Sequence, residues 1–269
     1  MKRRGQESVL APPMRDLRPQ SARIHRVSAH PANPPRHIPL AERLIFALDV
    51  PDVAAAKSLV ATLADSVSFY KIGLELAMSG QYFELLNWLV EHDKKVFADL
   101  KLYDIPATVA AAVRQLSKSG ATFLTVHGDT AIMHAAANEK GPNLRILAVT
   151  VLTSLGQSDL TQMGISCDVA TLVQRRAKQA VAAGCDGVIA SGLEAQELRA
   201  ELGPGPLIVT PGIRPAGTAG GDDQRRIVTP ARAFESGADH IVVGRPIRDA
   251  ADPYRAAAAI QAEIAAVLE

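Results

Sequence analysis

Cysteine and aromatic residues are scarce in this chain of 269 residues. Its two cysteines, Cys167 and Cys185, are too few for a disulfide framework or for a zinc site made of four cysteines. This usage is typical of a reducing, cytoplasmic setting. Only 4% of the residues are aromatic while 48% are apolar, so the core must be built mainly from aliphatic side chains.

Long apolar runs and an excess of one charge are also missing. No stretch reaches the roughly 18–20 apolar residues that a membrane-spanning helix requires, so no contact with a membrane is predicted. Lysine plus arginine number 29, and aspartate plus glutamate number 28. This balance argues against a generally basic nucleic-acid-binding protein.

The positive charge is concentrated near the start of the chain. Residues 1–37 hold eight Lys or Arg against two acidic residues, a net charge of +6, which leaves −5 for residues 38–269. Seven of the 17 prolines lie within residues 1–39, where no apolar periodicity is present. Because such a segment buries too little apolar surface to fold, we expect residues 1–39 to be a disordered basic extension. A targeting or partner-binding segment is the alternative.

From residue 40 onwards, short apolar runs alternate with alanine-rich helical stretches. The predicted strands are 44–50, 68–74, 95–101, 123–128, 145–152, 187–191, 207–213 and 240–247. The predicted helices are 52–65, 78–92, 106–119, 130–138, 168–183, 194–202, 229–237 and 253–268. Apolar strands that alternate with helices eight times indicate a closed (β/α)8 barrel, with a doubly wound open sheet as the alternative. We therefore predict one barrel domain over residues 40–269.

Charged residues cluster where the predicted strands end, which is where barrels of this kind carry their sites. Asp49 ends the first strand, Lys71 lies in the second, and Asp99 and Lys101 lie in the third. Because side chains alternate along a strand, Asp99 and Lys101 should both point into the barrel. Such charges need partners, which Lys71 and Asp104 can supply. An array for proton transfer is the favoured interpretation, and an ion-pair network that only caps the barrel is the alternative.

Glycine and arginine recur at the ends of the last two predicted strands, as Gly212 with Arg214 and as Gly244 with Arg245. The loops after strands 7 and 8 are the recurrent phosphate site of such barrels. Glycine N–H groups and a forked guanidinium suit a phosphate, although arginines that merely cap the surface are the alternative. Gln224 lies in the glycine-containing loop after strand 7, and such a loop can close over a ligand.

Several short motifs of this chain resemble the orotidine 5'-phosphate decarboxylase family. The most specific is the run Asp99-Leu100-Lys101-Leu102-Tyr103-Asp104-Ile105-Pro106, and the others are Leu48-Asp49-Val50, Tyr70-Lys71-Ile72-Gly73, Val126-His127, 149–154, 211–215, 221–230 and 243–247. The resemblance covers residues 40–269 in order. One departure is Ala107, where the family usually has asparagine.

The resemblance implies conversion of orotidine 5'-phosphate to UMP and CO2 in pyrimidine synthesis, without a metal or an organic cofactor. It implies that Lys101 protonates C6 of the pyrimidine, that Asp99 lies beside the departing carboxylate, and that Asp104 enters the site of a second subunit in a homodimer. The other implied roles are Lys71 in the charge network, Asp49 and Thr108 at the ribose, Thr153 and Ser154 at the base, and Arg214, Gln224, Gly244 and Arg245 at the phosphate.

Two other functions compete with this interpretation. One is a metal-dependent phosphosugar enzyme with the same Asp-x-Lys-x-x-Asp spacing, such as a 3-keto-gulonate-phosphate decarboxylase or a hexulose-phosphate synthase. The run Asp104-Ile105-Pro106 and the run Leu152-Thr153-Ser154 favour the pyrimidine enzyme. The other is a non-catalytic nucleotide-binding barrel, which should have lost one of the four charged residues.

Overall fold

Eight parallel strands form a closed barrel in the part of the chain that the structure describes. A computed structural model describes residues 37–215 and 226–269. Each strand pairs with the next, and β8 pairs with β1. The strands are β1 (Leu44–Ala47), β2 (Phe69–Ile72), β3 (Lys95–Leu102), β4 (Phe123–His127), β5 (Arg145–Val149), β6 (Gly187–Ile189), β7 (Leu207–Thr210) and β8 (His240–Val243). The predicted (β/α)8 barrel is confirmed.

Helices follow the strands around the outside of this barrel. Within the described residues they are α1 (Leu40–Arg43), α2 (Val53–Leu63), α3 (Leu74–Met78), α4 (Tyr82–Glu91), α5 (Pro106–Leu116), α6 (Thr130–Glu139), α7 (Gln157–Gln162), α8 (Val169–Ala182), α9 (Ala195–Leu202), α10 (Pro230–Glu235), α11 (Arg245–Arg248) and α12 (Pro253–Leu268). The four that the sequence did not predict, α1, α3, α7 and α11, have only four to six residues. Such lengths are too short to display an amphipathic period.

Seven of the eight strands end earlier than the sequence predicted, by one to four residues. β5 stops at Val149 and β7 at Thr210, before segments in which the chain turns toward the site. The predicted strand 240–247 was wrong at its end, because α11 begins at Arg245. Pro246 lies in the first turn of α11, where its missing N–H costs nothing, whereas a central strand would need that donor.

Side-chain caps fix where several helices begin. The carboxylates of Asp52, Asp129, Asp168 and Asp252 and the hydroxyl of Thr229 accept backbone N–H groups in the first turns of α2, α6, α8, α12 and α10. These bonds satisfy donors that a helix start leaves without an intrahelical partner. These caps therefore fix the residue at which each of the five helices begins.

The two faces of each strand enter different hydrophobic layers. The barrel interior is a small cluster that contains Ile45, Phe69, Phe97, Phe123 and Leu147, together with Ala47, Leu207, Val209 and Val242. The alternate strand residues, such as Phe46 and Tyr70, pack outward against the helices. Because direction alternates along a strand, the inward positions after Ala47, Phe69 and Phe97 are Asp49, Lys71 and Asp99. The apolar barrel interior is therefore followed by charged side chains at the carboxyl ends of β1 to β3.

Two predicted features fall largely or wholly on residues that the structure does not describe. The predicted extension, residues 1–39, lies outside the described residues up to position 36, and Gln224 lies in the gap at 216–225. At the edge of the described part, Ile38 packs against the barrel interior.

Candidate functional site

A cavity of about 530 Å³ opens at the carboxyl ends of the strands. Its lining residues come from seven of the eight strands or the loops that follow them. They are Ala47, Asp49, Lys71, Phe97, Asp99, Lys101, Val149, Val151, Leu152, Thr153, Ser154, Ile189, Pro211, Gly212, Arg214, Val242, Gly244, Arg245 and Arg248. A cavity of this size suits a nucleotide-sized molecule. Nine of the twelve predicted site residues line it.

Four charged side chains form a continuous chain on one side of this cavity. The Nζ atom of Lys71 lies 2.9 Å from Oδ1 of Asp49 and 3.5 Å from Oδ2 of Asp99. The Nζ atom of Lys101 lies 2.9 Å from the same Oδ2 of Asp99. Signs alternate from Asp49 to Lys101, so each charge has an opposite neighbour. The side chains of Lys71 and Asp99 are only 12% exposed, whereas that of Lys101 is 34% exposed and can reach a ligand.

A break in the regular pleat of β3 places Lys101. The register between β3 and β4 shifts between Ala98 and Leu102, and Lys101 has a φ of +47°. Such a bulge redirects a side chain beside a site, and a positive φ is unusual for a residue with a Cβ. The expected meeting of Asp99 and Lys101 in the cavity is found, but a bulge rather than simple alternation achieves it.

Thr125 on β4 stabilises this bulge and was missed by the sequence analysis. Its Oγ1 donates a hydrogen bond to Oδ1 of Asp99 at 2.8 Å and accepts one from the backbone N–H of Lys101 at 2.9 Å. Thr125 is fully buried. The available signal was a polar residue at an inward position of an otherwise apolar strand, two residues after Phe123.

The central charges are held in their ionised forms. Burial works against the charge on Lys71, but the carboxylates of Asp99 and Asp49 outweigh it and raise the pKa of Lys71. Burial likewise disfavours the Asp99 carboxylate, yet Lys71, Lys101 and the Thr125 hydroxyl outweigh it and lower the pKa of Asp99. Mutual stabilisation of this kind keeps opposite charges inside a protein.

Gly73 leaves the space that this ion-pair chain occupies. A Cβ at position 73 would lie 3.2 Å from Nζ of Lys71 and 3.5 Å from Oδ1 of Asp49. A larger side chain would therefore displace the ammonium from its carboxylates. The glycine after β2 is explained by this close approach.

Arginines and glycines gather at the carboxyl ends of β7 and β8. Gly212, which has a φ of +77°, turns the chain so that Arg214 reaches the cavity. Gly244 and Arg245 line the cavity directly after β8. This cationic side has the donors that a phosphate dianion needs.

Arg248 also lines the cavity and was not among the predicted residues. Its Nη1 donates to the backbone carbonyl of Asp49 at 2.8 Å, and its guanidinium contacts both carboxylate oxygens of Asp249 at 2.7 and 3.1 Å. The contact joins the end of β8 to the end of β1. Because 199 positions separate the two partners, no local sequence pattern indicated it.

Thr153 and Ser154 form the wall that follows β5. They are the central residues of a turn in which the N–H of Leu155 donates to the carbonyl of Leu152 at 3.0 Å. Thr153 is 9% exposed, and both residues line the cavity. Their hydroxyl groups suit the polar edge of a base.

Asp104 and Thr108 do not line the main cavity of their own chain. They border a separate surface pocket of about 340 Å³, together with Leu100, Lys101, Leu102, Tyr103, Val109 and Ala112. Asp104 is exposed, and its Oδ1 accepts the N–H of Ile105 at 2.6 Å. Of the four charged residues in the predicted network, one chain therefore brings together three, with Asp49 as the fourth partner.

Within residues 37–215 and 226–269, there is no group of three or more His, Cys, Asp or Glu side chains arranged to hold a metal ion. None of the helices in these ranges combines the length and the apolar character needed to cross a membrane.

Comparisons with known proteins agree over nearly the whole barrel. Residues 42–260 match the family described as "Orotidine 5'-phosphate decarboxylase / HUMPS family". The orotidine 5'-phosphate decarboxylase of Methylococcus capsulatus is 60% identical over 227 residues, which make up 84% of this chain and 93% of that protein. That of Stenotrophomonas maltophilia is 57% identical over 228 residues, covering 84% and 94% of the two chains.

Solved structures agree with these relatives. The crystal structure of orotidine 5'-phosphate decarboxylase from Lactobacillus acidophilus matches with a TM-score of 0.72 and 36% identity, over 83% of this chain and 99% of that one. The enzyme from Pyrococcus horikoshii matches with a TM-score of 0.65 and 28% identity, over 82% and 99%. With its family match, its relatives and its barrel site in agreement, this chain belongs to the orotidine 5'-phosphate decarboxylase / HUMPS family.

Proposed function

We propose that this chain decarboxylates orotidine 5'-phosphate to UMP and CO2, a step of pyrimidine biosynthesis, with Lys101 as the proton donor. The observation that carries the proposal is the chain of alternating charges from Asp49 to Lys101 along one side of the cavity. It presents one partly exposed ammonium, that of Lys101, to a ligand.

The reaction replaces a carboxylate on the pyrimidine by a proton. The bond between C6 and the carboxylate carbon breaks, CO2 leaves, and the bonding electron pair remains at C6. The Lys101 ammonium transfers its proton to C6 and afterwards regains one from water. A fixed ammonium also stabilises the carbanion-like charge before the proton arrives, and such preorganised charges are usually the largest catalytic contribution.

Asp99 has two functions in this proposal. Its Oδ2 accepts a hydrogen bond from Nζ of Lys101 at 2.9 Å, which aims the ammonium. Its negative charge also lies beside the substrate carboxylate, where like charges repel. That repulsion disappears as CO2 becomes neutral, so the contact favours the transition state over bound substrate. Lys71 keeps Asp99 ionised throughout.

The remaining cavity residues bind the parts of the substrate that do not react. Arg214, Gly244 and Arg245, with Gln224, hold the phosphate, and Asp49 contacts a ribose hydroxyl. Thr153 and Ser154 contact the base. Binding energy from the phosphate and ribose fixes C6 against Lys101, which converts affinity into rate. No metal or organic cofactor takes part in this proposal.

A homodimer completes the site, with Asp104 and Thr108 supplied by the second subunit. Support comes from their position, because both border a surface pocket that also includes Lys101 rather than the main cavity. Tyr103 and Ile105, on either side of Asp104, are 68% and 66% exposed. Exposed apolar side chains grouped in this way are typical of a surface that another chain covers.

The catalytic domain in this proposal is the barrel, residues 40–269, and the chain acts in the cytoplasm. Residues 1–39 have no part in catalysis. Both cysteines are free thiols, in keeping with a reducing compartment.

The decisive experiment is turnover by purified protein stripped of metal with a chelator. Orotidine 5'-phosphate should lose its absorbance while UMP and CO2 appear in equal amounts, with the chelator still present. Activity that returns only with a divalent ion, or only with a phosphosugar, would favour the metal-dependent alternative. Binding of UMP without any turnover would instead favour the non-catalytic barrel.

A further inference from the structure

A buried ion pair outside the charged chain joins three strand ends of the barrel. Arg226 lies after β7 and donates through Nη1 to the Oε1 atom of Glu194, which follows β6. Its Nη2 donates to the carbonyls of Val151 and Leu152, which follow β5, at 3.2 and 3.0 Å. The two charged side chains are only 11% and 9% exposed. Nothing in the proposed chemistry uses either of them.

The backbone on both sides of this pair is itself held in place. Val228 forms a parallel bridge with Ile213, its N–H donates to the carbonyl of Gly212 at 3.3 Å, and its carbonyl accepts the N–H of Arg214 at 2.9 Å. Val228 also packs so closely on Gly192 that a Cβ there would lie 2.3 Å from its Cγ2. Arg226 thus lies two residues before a position that is hydrogen-bonded to the residues following β7.

Stability alone is a poor explanation for this pair. Replacing a buried ion pair with apolar side chains of similar volume is often neutral or stabilising. Among the described residues, Nε of Arg226 and Oε2 of Glu194 have no hydrogen-bond partner, which adds to the desolvation cost. What the pair does provide is geometry, because a planar guanidinium can bind a carboxylate and two carbonyls in fixed directions at once.

The carbonyl of Leu152 links the Arg226 guanidinium to the turn that contains the proposed base contacts. Leu152 opens the turn whose central residues are Thr153 and Ser154, and its carbonyl accepts both the Leu155 N–H and the guanidinium of Arg226. We propose that Arg226 and Glu194 are positioning residues that hold this turn in the orientation that receives the pyrimidine base. The inference rests on the proposed function, since it takes Thr153 and Ser154 as the base contacts.

Comparison of two ligands separates positioning from simple structural support. UMP carries the base, whereas ribose 5-phosphate carries the other binding groups without it. In the double variant Glu194→Leu/Arg226→Met, which removes both charges together, the dissociation constant of UMP should rise roughly 10- to 100-fold. The KM for orotidine 5'-phosphate should rise with it. The dissociation constant of ribose 5-phosphate should change less than about twofold, because none of its proposed contacts lies in the turn after β5.

The exposed pair Arg232 and Glu235 on α10, 3.6 Å apart, supplies the matched control. The variant Arg232→Met/Glu235→Leu should bind both ligands as the wild-type protein does.

If the buried double variant does not fold, the variant Arg226→Lys can be used instead, because it keeps the positive charge but lacks the planar guanidinium. Its affinity for UMP should still fall while its affinity for ribose 5-phosphate stays unchanged. Equal losses for the two ligands, or no loss for either, would overturn the inference. Turnover by the wild-type protein tests the proposed function separately, because these affinities do not depend on catalysis.

Discussion

At the scale of single residues, neighbouring groups decide what each charged side chain can do. Lys101 and Lys71 are both lysines on the same side of the cavity, but Lys71 is enclosed by two carboxylates and Lys101 is bonded to one. In the proposed function, the more exposed ammonium, that of Lys101, is therefore the one that transfers a proton. The enclosed ammonium of Lys71 pairs with the Asp99 carboxylate, and that carboxylate orients the Lys101 ammonium.

Substitution of Lys101 by alanine should remove nearly all decarboxylation. The change deletes both the proton donor and the charge that stabilises the developing carbanion, so kcat should fall by roughly 10³-fold or more. UMP should still bind, because the phosphate and base contacts remain. Steady-state kinetics and calorimetry measure the two effects, and the exposed Lys118→Ala variant is the control. A Lys101→Ala enzyme within tenfold of the wild-type rate would exclude the assigned role.

The buried side chain of His240 should make the free energy of unfolding depend on pH. It is 3% exposed at the start of β8, with Nδ1 2.8 Å from the carbonyl oxygen of Glu42 and its ring edge against Phe69 and Phe123. Burial, aided by nearby cations, lowers the pKa of His240 to about 3. The unfolded chain takes up this proton below about pH 6.5, whereas the folded chain does not. His240 should therefore contribute up to about a tenfold rise in the unfolding equilibrium constant per pH unit as the pH falls below about 6.5.

Urea unfolding at several pH values between 7 and 4 measures this dependence. The variant His240→Leu cannot take up the proton, so its stability should vary less with pH by the equivalent of one proton. The exposed His134→Leu variant is the matched control. Equal slopes for wild-type protein and His240→Leu would contradict the assignment.

At the scale of elements, two aspartate side chains form hydrogen bonds between neighbouring strands at the amino end of the barrel. Asp186 precedes β6 and accepts the N–H of Ile146 in β5 at 2.9 Å, and it pairs with Lys140. Asp239 precedes β8 and accepts the N–H of Ile208 in β7 at 2.8 Å. These contacts lie at the end opposite the cavity. They should therefore contribute to stability and not to catalysis.

Removal of the Asp239 carboxylate should destabilise the barrel without slowing catalysis. Asp239→Ala leaves Arg199 without its carboxylate and Ile208 without its acceptor, which should lower the free energy of unfolding by about 3 kcal/mol. Urea unfolding measures the loss, and kcat of the folded enzyme should stay within about twofold of wild type. Glu235→Ala, in an exposed pair, should cost less than about 1 kcal/mol. A large loss of kcat in Asp239→Ala would refute the separation of the two ends.

At the scale of the whole molecule, the proposed site needs two subunits. Lys71→Ala and Asp104→Ala are each expected to be inactive alone. If Asp104 acts across the dimer, unfolding and refolding the two variants together yields mixed dimers with one intact site. Random pairing makes half of the dimers mixed, so about 25% of wild-type activity should return.

The matched control for this experiment is a mixture of Lys71→Ala with Lys101→Ala. Both residues line the cavity of one chain, so no mixed dimer of this pair contains an intact site. Recovery in the first mixture and not in the second supports Asp104 in trans. Absence of recovery in the first mixture, with mixed dimers demonstrated, would place Asp104 in its own subunit's site.

Deletion of residues 1–36 should leave both folding and turnover nearly unchanged. The deletion keeps Ile38, which packs against the barrel interior, and it removes only the proline-rich basic segment. Thermal unfolding and kcat/KM should agree with the full chain within about 1 kcal/mol and twofold. An insoluble or much slower truncated protein would give the segment a role in the barrel.

The sequence alone was enough to predict the barrel and nine of the nineteen residues that line its cavity. Eight apolar runs separated by helices determine a parallel barrel, and a barrel places whatever follows its strands at one end. Asp49, Lys71 and Asp99 could be predicted because they lie at or near the carboxyl ends of predicted strands, and alternation along the third strand directs Asp99 inward. These features depend on residues close together in the chain, which a sequence displays directly.

Only the tertiary structure decided how those residues meet. The bulge at Lys101 depends on Thr125 from another strand, and the Asp49 carbonyl is held by Arg248 from the other end of the chain. The Arg226 guanidinium likewise meets carbonyls more than 70 positions away. The physical reason is that hydrogen bonds and ion pairs act over about 3 Å in space, whatever the separation of the partners along the chain. Barrel closure brings these partners together, and no pattern of neighbouring residues encodes which ones will meet.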